Sequence, residues 1–414
     1  MTIAFVLDCL GLMTNGTTAT ALRFARELEK KGHTVKLLGV QPQTKEIKDD
    51  NFANYVGFEK FHFPCFEWLI EKEGFMFARK DDRKMAEALK GCDVVHLFLP
   101  FPFENRARLI AEALHIPVTG AFHLQPDTIT YTIYLQKLGF ITSGIYSGFY
   151  RFFYKNIKHI HCPSEMISDQ LVKRKYRGCE FNVISNGVSP FFHPVKVEKP
   201  AELKDKFIVL MVGRLSREKR QDIIIKALGK SKHNKDIQLI LSGQGPNEKA
   251  LRKEAARHLE NPVIIGFNSR EKLRDILCYS DLYIHASDAE IEGISCIEAI
   301  ACGLVPVISD SPISATNRYA LDKKLCIFHK DDAGDLAAKI DYFFENPSVR
   351  DELSEKYVEY SKDFALEKEV DRFEKFLEEG ISDYKNKNDI VSTGNNKKDI
   401  RKVRRVAKKI REYL

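Results

Sequence analysis

No uncharged apolar stretch of this 414-residue chain approaches the ~18–20 residues that span a bilayer. The longest charge-free stretch with membrane character, residues 138–150, is closed off by Lys137 and Arg151. A membrane-crossing helix is therefore not expected. The opening segment, MTIAFVLDCLGLM, has no basic stretch ahead of its apolar run and carries Asp8 inside it. It makes a poor signal peptide and reads as a first buried strand. Paired cysteines are missing too. The nine cysteines are odd in number and none stands in a Cys-x-x-Cys pair. Neither a disulfide framework nor a zinc site is expected, but reduced, mostly buried thiols in a cytoplasmic protein. Gly-x-Gly-x-x-Gly is absent after either strand that opens an α/β unit below, which disfavours a nicotinamide dehydrogenase.

What is present is the balance of a soluble globular chain, with 44% hydrophobic and 30% charged residues. That excludes a disordered or fibrous protein. The length predicts two or three domains. The formal net charge of +7 is unevenly placed. Residues 395–414 hold nine Lys/Arg against Asp399 and Glu412, so the whole surplus sits there and residues 1–394 balance. The body gives no electrostatic reason to bind nucleic acid. The tail is a candidate for an anionic surface.

Short apolar runs alternate with helical patterns. In the first half, strands are predicted at 3–10, 34–40, 93–99, 116–123, 159–164 and 181–185, with helices at 17–31, 82–90 and 103–114. Residues 186–206, with three prolines, a glycine and many charges, read as a linker. The pattern then restarts. Strands are predicted at 207–215, 237–243, 262–267, 281–287, 305–309 and 325–328, and helices at 220–229, 247–259, 270–279, 294–302 and 333–346. Residues 348–384 are charged and helical. Strands that alternate with helices imply parallel sheets covered on both faces, here two doubly wound units in tandem. Ligands of such sheets bind beyond the carboxyl ends of the strands, so a cleft between the units is the expected place for chemistry.

Three segments carry candidate chemistry. After the first strand, GLMTNGTT leads into a helix, which puts Gly16 and Thr17 at a helix N-terminus suited to a phosphate. A plain strand-to-helix turn explains the same pattern. After the strand that opens the second unit come Gly213, Arg214 and, near the next helix, Lys219. Two cations there can neutralise a diphosphate, Arg as a fork and Lys as a point charge; solvated surface charges are the alternative. The third segment is EIEGISCIEAIACGLVP, from Glu290 to Pro306. Gly293, Ile294 and Ser295 fall at a helix start, with Glu290 in the preceding loop and Glu298 about one turn inside. Those carboxylates can accept hydrogen bonds from sugar hydroxyls, and the open amides can face a phosphate or hydroxyl. An ordinary capped helix with solvated acids is the alternative.

Taken together, these elements resemble the family-4 retaining glycosyltransferases of the GT-B fold. Glu290 and Glu298 match that family's Glu-x7-Glu element, Gly213, Arg214 and Lys219 its Gly-Arg…Lys element, and Gly16 its glycine loop. The linker ISNGVSPFFHP is similar as well, and the resemblance spans residues 1 to about 384. It implies an α/β, GT-B fold of two Rossmann-like doubly wound domains facing a central cleft. Residues 1–195 would be the acceptor-side domain and 207–347 the nucleotide-sugar domain. Helices at 348–385 would pack back on the first domain, followed by a tether and basic amphipathic tail at 386–414. It also implies roles: Arg214 and Lys219 on the donor diphosphate, Glu298 on the ribose, and Glu290 with the amides of Gly293 and Ile294 on the donor sugar. Phe267 would lie near the base, and His123, in AFHLQPD, near the reacting carbon. A hydrogen-bonded core or surface histidine is the alternative for His123. Two departures stand out: Glu292 replaces the usual aromatic residue before the glycine, and the N-terminal loop has one glycine where many relatives have two. No Asp-x-Asp occurs, which agrees with charge neutralisation by Arg214, Lys219 and helix amides. No metal and no cofactor are expected beyond the nucleotide-sugar substrate.

Two segments bear on the acceptor. Ile400, Val403, Ala407, Ile410 and Leu414 form one apolar stripe flanked by cations. Such a helix can lie on an anionic membrane; a helix packed on the body, a coiled-coil seam or, less readily, an RNA-binding tail are the alternatives. Residues 131–158 interleave Tyr and Phe with Lys137, Arg151, Lys155 and Lys158, as at a membrane interface or in buried helices. The run from Asp288 to Thr316 also resembles bacterial transferases that glycosylate diacylglycerol or a related lipid. The expected function is transfer of a hexose, glucose above others, from a UDP-linked donor to a hydroxyl acceptor. The acceptor is a membrane lipid such as diacylglycerol or a lipid-linked glycan. The enzyme would be cytoplasmic and peripheral on the inner membrane face, with residues 397–414 as the contact. A nucleotide-sugar epimerase of the same fold and a non-catalytic nucleotide-sugar or membrane-binding module are the other readings.

Overall fold

The computed structural model of the chain describes residues 1–11, 16–42, 54–63, 67, 75–386 and 397–414. It divides into two units. The first holds Met1–Pro126, Leu138–Ile184 and Val370–Leu414; the second holds Asp127–Lys137 and Ser185–Glu369. The first unit thus ends at Ile184 rather than 195, and residues 127–137 belong with the second.

The first unit is a parallel sheet in the order β3-β2-β1-β4-β5-β6-β7. Its strands are β1 (Thr2–Val6), β2 (Thr34–Val40), β3 (Tyr55–Phe58), β4 (Val94–Leu97), β5 (Val118–Ala121), β6 (His159–Cys162) and β7 (Glu180–Val183). Its helices are α1 (Gly16–Lys30), α2 (Asp82–Leu89), α3 (Pro102–Ala113), α5 (Gly139–Phe152) and α6 (Glu165–Lys173); the intervening α4 (Pro126–Thr132) falls at the boundary. β1 pairs in register on both sides, Ile3 with Val35 and with Val94. Ile3, Ala4, Phe5 and Val6 are all fully buried, as a strand covered on both faces requires.

The second unit repeats the plan in the order β10-β9-β8-β11-β13-β15. The strands are β8 (Phe207–Val212), β9 (Ile237–Ser242), β10 (Ile264–Gly266), β11 (Leu282–His285), β13 (Pro306–Ser309) and β15 (Ile327–Phe328). The short β12 (Ala289–Glu290) and β14 (Ile313–Ser314) pair beside them. The helices are α7 (Gln221–Leu228), α8 (Glu248–His258), α9 (Arg270–Tyr279), α10 (Ile294–Ala301), α11 (Ala333–Glu345) and α12 (Pro347–Ser361). In each sheet the strand order reverses at the first strand, between β1 and β4 and between β8 and β11, the usual place for a ligand in this topology.

After α12 the chain returns to the first unit as α13 (Leu366–Asn386). Phe373 and Phe376 insert among Phe5, Phe24, His96 and His161. At the far end, Asp383 meets His159 at 3.0 Å and the Lys158 ammonium, which also pairs with Glu180 at 2.9 Å. His159, Glu180 and Asp383 lie close enough to share a cation, but the Lys158 ammonium already holds both acids.

The tail corrects one expectation. Of the expected tether, 386–396, Asn386 ends α13 and residues 387–396 lie outside the described residues. The helix beyond it, α14 (Lys397–Ile410), packs against α3 and α2. Its buried face runs through Asp399, Val406 and Ile410, with Ile400, Val403 and Ala407 partly covered. Asp399 accepts two hydrogen bonds from the Arg108 guanidinium, at 2.9 and 3.1 Å, and Arg108 is 1% exposed. The apolar stripe is therefore not free to enter a bilayer. The opposite face keeps Arg401, Lys402, Arg404, Arg405, Lys408 and Arg411 exposed. Among the described residues no helix is long and apolar enough to cross a membrane.

Candidate active site

In the second unit two loops meet at the carboxyl ends of β8 and β11. The first begins at Gly213, whose φ of 151° favours glycine. The end of β9 passes so near that a Cβ on Gly243 would lie 2.0 Å from the Gly213 carbonyl oxygen, and one on Gly245 2.5 Å from that of Leu215. Sequence reasoning missed these two glycines; the pattern SGQG at 242–245 was the available signal. Arg214 follows Gly213, and the Gln221 amide donates to the Arg214 carbonyl at 2.8 Å. A single 3-10 turn, Arg217–Lys219, then delivers Lys219.

The second loop follows β11. The Asp288 amide donates to the Glu218 carbonyl at 2.7 Å, which fastens the loops together. The Lys219 ammonium donates to Glu290, and the His285 imidazole lies 3.6 Å from the same carboxylate. Burial raises the proton affinity of Glu290, but Lys219 and His285 outweigh it and hold the carboxyl down at about 2. Burial likewise disfavours the Lys219 charge, and Glu290 overcomes it, leaving the ammonium above its ordinary range. The two groups are thus a fixed ion pair at neutral pH. The sequence assigned them separate duties, and their contact across 71 positions was not readable from it.

Gly293 caps α10 with φ 89° and supplies no side-chain hydrogen bond to the helix N-terminus. A Cβ there would meet Thr316 Cγ2 at 2.2 Å. Ile294 and Ser295 form the first turn, and Ser295 Oγ accepts from the Tyr283 hydroxyl at 3.1 Å. Glu298 is in the second turn and 6% exposed. Phe267, just after β10, is 67% exposed and so presents an open ring face. A further network flanks the loops: Arg220, left-handed at φ 55°, reaches Asp288 at 3.0 Å, and Tyr131 donates to the same carboxylate at 2.8 Å. Tyr134 lies under the Arg217 guanidinium at 4.1 Å. Both tyrosines come from the segment 127–137.

The remaining predicted residues lie in the first unit. Gly16 and Thr17 open α1; residues 12–15 of the same loop lie outside the described set. His123 follows β5 and is 6% exposed. It stacks on Phe98 and meets the edge of His161, and its Nε2 has no hydrogen-bond partner. Burial, then the neighbouring His161, push its pKa well below the ordinary histidine range, so the imidazole is neutral. A second unforeseen pair lies at the end of β1. The Asp8 amide donates to Glu104 at 2.8 Å, and both carboxyls are buried. Burial pushes Asp8 up to about 7 and Glu104 well above the carboxylate range.

Two Rossmann-like units, the second gathering cations, carboxylates and an uncapped helix start at its switch point, define a doubly wound α/β protein. The comparisons sharpen this. Residues 194–364 match the family model "Glycosyl transferases group 1", and residues 14–190 match "Glycosyltransferase Family 4". The α-monoglucosyldiacylglycerol synthase of Streptococcus pneumoniae is 26% identical over 378 residues, covering 87% of this chain and 82% of the relative. That of Acholeplasma laidlawii is 24% identical over 387 residues, covering 86% and 91%. Among solved structures, Anabaena HepE in complex with UDP and glucose superposes with TM-score 0.72 at 15% identity, covering 91% of this chain and 99% of that one. Sucrose-phosphate synthase from Thermosynechococcus elongatus gives 0.71 at 16%, covering 92% and 100%. The chain belongs to the family-4 glycosyltransferases of the GT-B fold.

Proposed function

We propose that this glycosyltransferase moves a glucosyl residue from UDP-glucose to a hydroxyl of a membrane lipid of the diacylglycerol class, with retention of the anomeric configuration. The observation that carries the donor half is the clustering of Arg214, Lys219, Glu290 and the α10 N-terminus at one switch point. The acceptor half is supported by the two diacylglycerol-acting relatives, and the choice of UDP-glucose by the ligands of the HepE structure.

Arg214 and the α10 amides stabilise the charge that develops on the leaving diphosphate, with Lys219 oriented by Glu290. This needs no metal, so transfer persists in chelator. Glu298 holds the ribose, Phe267 stacks on the base, and Gly16 and Thr17 contribute amides to the phosphate side. His123, neutral and with Nε2 uncommitted, offers a hydrogen bond to the sugar near the reacting carbon. No carboxylate nucleophile is assigned. The acceptor attacks on the face the diphosphate leaves, and its proton passes to the leaving phosphate oxygen.

The test is nucleotide release from UDP-glucose with and without vesicles containing diacylglycerol, with product analysis. Release that rises with vesicles and yields a glucosyl lipid is expected. Release indifferent to lipid defeats the acceptor assignment. In the same assay Arg214→Ala lowers turnover more than tenfold and Glu298→Ala weakens donor binding; unchanged kinetics in both remove the donor site.

A further inference from the structure

Glu292 is the residue at which this chain departs from its family's aromatic, and it is 0% exposed. A buried carboxylate needs several donors to be tolerated. Glu292 finds them all in one short segment. The Ser185 hydroxyl donates to it, the Asn186 amide donates at 3.1 Å, and Asn186 Nδ2 donates at 2.5 Å. Arg318 stands 3.8 Å away. Asn186 thus brings both its donors to this contact, and its own Oδ1 is buried without a partner.

Residues 185–188 are no ordinary loop. Here the chain enters the second unit, and it leaves that unit at Glu369. Entry and exit are fastened together. The Ser185 amide donates to Glu369 Oε2 at 2.9 Å, Val188 N to the Phe364 carbonyl at 2.7 Å, and Leu366 N to the Val188 carbonyl at 3.0 Å. Gly187, at φ 70°, lets the strands meet; a Cβ there would lie 2.8 Å from the Leu366 Cα. Glu292 therefore joins this crossing to the loop that carries Glu290 on one side of it and Gly293 on the other. An aromatic residue could fill the space but could not accept these hydrogen bonds.

We propose that Glu292 is a positioning residue that fixes the 290–294 loop to the chain crossing through Ser185 and Asn186, and so sets the orientation of Glu290 and of the Gly293 and Ile294 amides toward the donor. The proposal rests on the donor site described under the proposed function. Its geometry has a simple electrostatic complement: burial pushes the Glu292 carboxyl up to about 7, against Arg318, Ser185 and Asn186, so the group is responsive to the loss of any one donor.

The test is UDP-glucose affinity by calorimetry, steady-state kinetics and thermal unfolding of the full chain. Glu292→Gln places an amide donor against the Asn186 donor. The expected result is an about tenfold weaker donor affinity, the effect of one lost charge-assisted hydrogen bond, with acceptor KM unchanged. Adding Asn186→Asp turns the clash into a donor–acceptor pair, and affinity returns. If Glu292→Gln does not fold, Ser185→Ala, which removes one donor and little volume, is expected to raise the donor Kd about threefold. Wild-type donor affinity in folded Glu292→Gln, or in Ser185→Ala where only that variant folds, overturns the proposal, as does a double variant that regains thermal stability without affinity. Glu290→Gln separates the two levels. If it weakens donor binding while Glu292→Gln does not, the positioning role alone is wrong; if neither changes binding, the donor site itself is misassigned.

Discussion

At the scale of single residues, the Lys219–Glu290 pair is the feature with the clearest energetic signature. Removing one member of a mostly buried pair leaves the other charge uncompensated. Lys219→Met is expected to cost on the order of 3 kcal/mol of stability, while Lys219→Met with Glu290→Gln recovers most of it without recovering turnover. Thermal unfolding of the two variants decides this. Because Glu290 is held down at about 2, the stabilisation it brings is present above the ordinary carboxylate range and fades as pH falls toward 2. Asp8 has the opposite sign. Its pKa is raised from 3.8 to about 7, so the stability it contributes is complete below the ordinary carboxylate range and is lost progressively as pH rises to 7. Asp8→Asn keeps an acceptor for the Ala78 amide and offers a donor to Glu104. It is expected to flatten the decline in stability between about pH 4 and 7, read from denaturant midpoints across that range.

At the scale of elements, the strands were largely legible because parallel strands covered on both faces are continuous apolar runs. FIVLMV at 207–212 and LYIH at 282–285 leave no other assignment. β3 was missed because YVGF is short, half-exposed and interrupted by Gly57. α14 was found as a helix, but its fate was not legible. The stripe counted from aliphatics ran through Ala407 and Leu414, whereas the docked face turns toward Asp399, whose partner Arg108 is 291 positions away. The motifs at Gly213, Glu290 and Glu298 were readable because local spacing fixes them. The contacts of Glu290 and Glu292 were not, because they depend on where distant segments arrive. Two element-level outcomes follow from the packing. Asp399→Ala removes two hydrogen bonds from the buried Arg108 guanidinium, which keeps Glu112 at 2.6 Å, at a cost of about 2 kcal/mol, and α14 then loses much of its protection from amide exchange. Gly293→Ala forces a Cβ onto Thr316 and a left-handed alanine, at a cost of at least about 1 kcal/mol, and lowers donor affinity along with the melting temperature.

At the scale of the whole molecule, the surplus charge and the docked helix belong together. α14 and Arg411 just beyond it present a row of exposed cations, while the apolar residues of the helix face α3, so any attraction to an anionic bilayer through it is electrostatic rather than insertional. Such an attraction is expected to weaken sharply with salt. Reversing Arg404, Arg405 and Lys408 to Glu should abolish co-sedimentation with anionic vesicles and leave UDP-glucose binding intact. Deleting the helix is the poorer experiment, because it uncovers α3 and Arg108 at the same time.

Ser185 and Glu369 are 184 positions apart in sequence and joined by a 2.9 Å hydrogen bond, so almost the entire second unit hangs from a single doorway. Residues 185–369 form a cassette with a common seam. Recombination at that seam exchanges nearly all of the second unit in one event and leaves the sheet of the first uncut. Within such an exchange, the acid at 292 and the Ser-Asn at 185–186 travel on the same piece and arrive already matched.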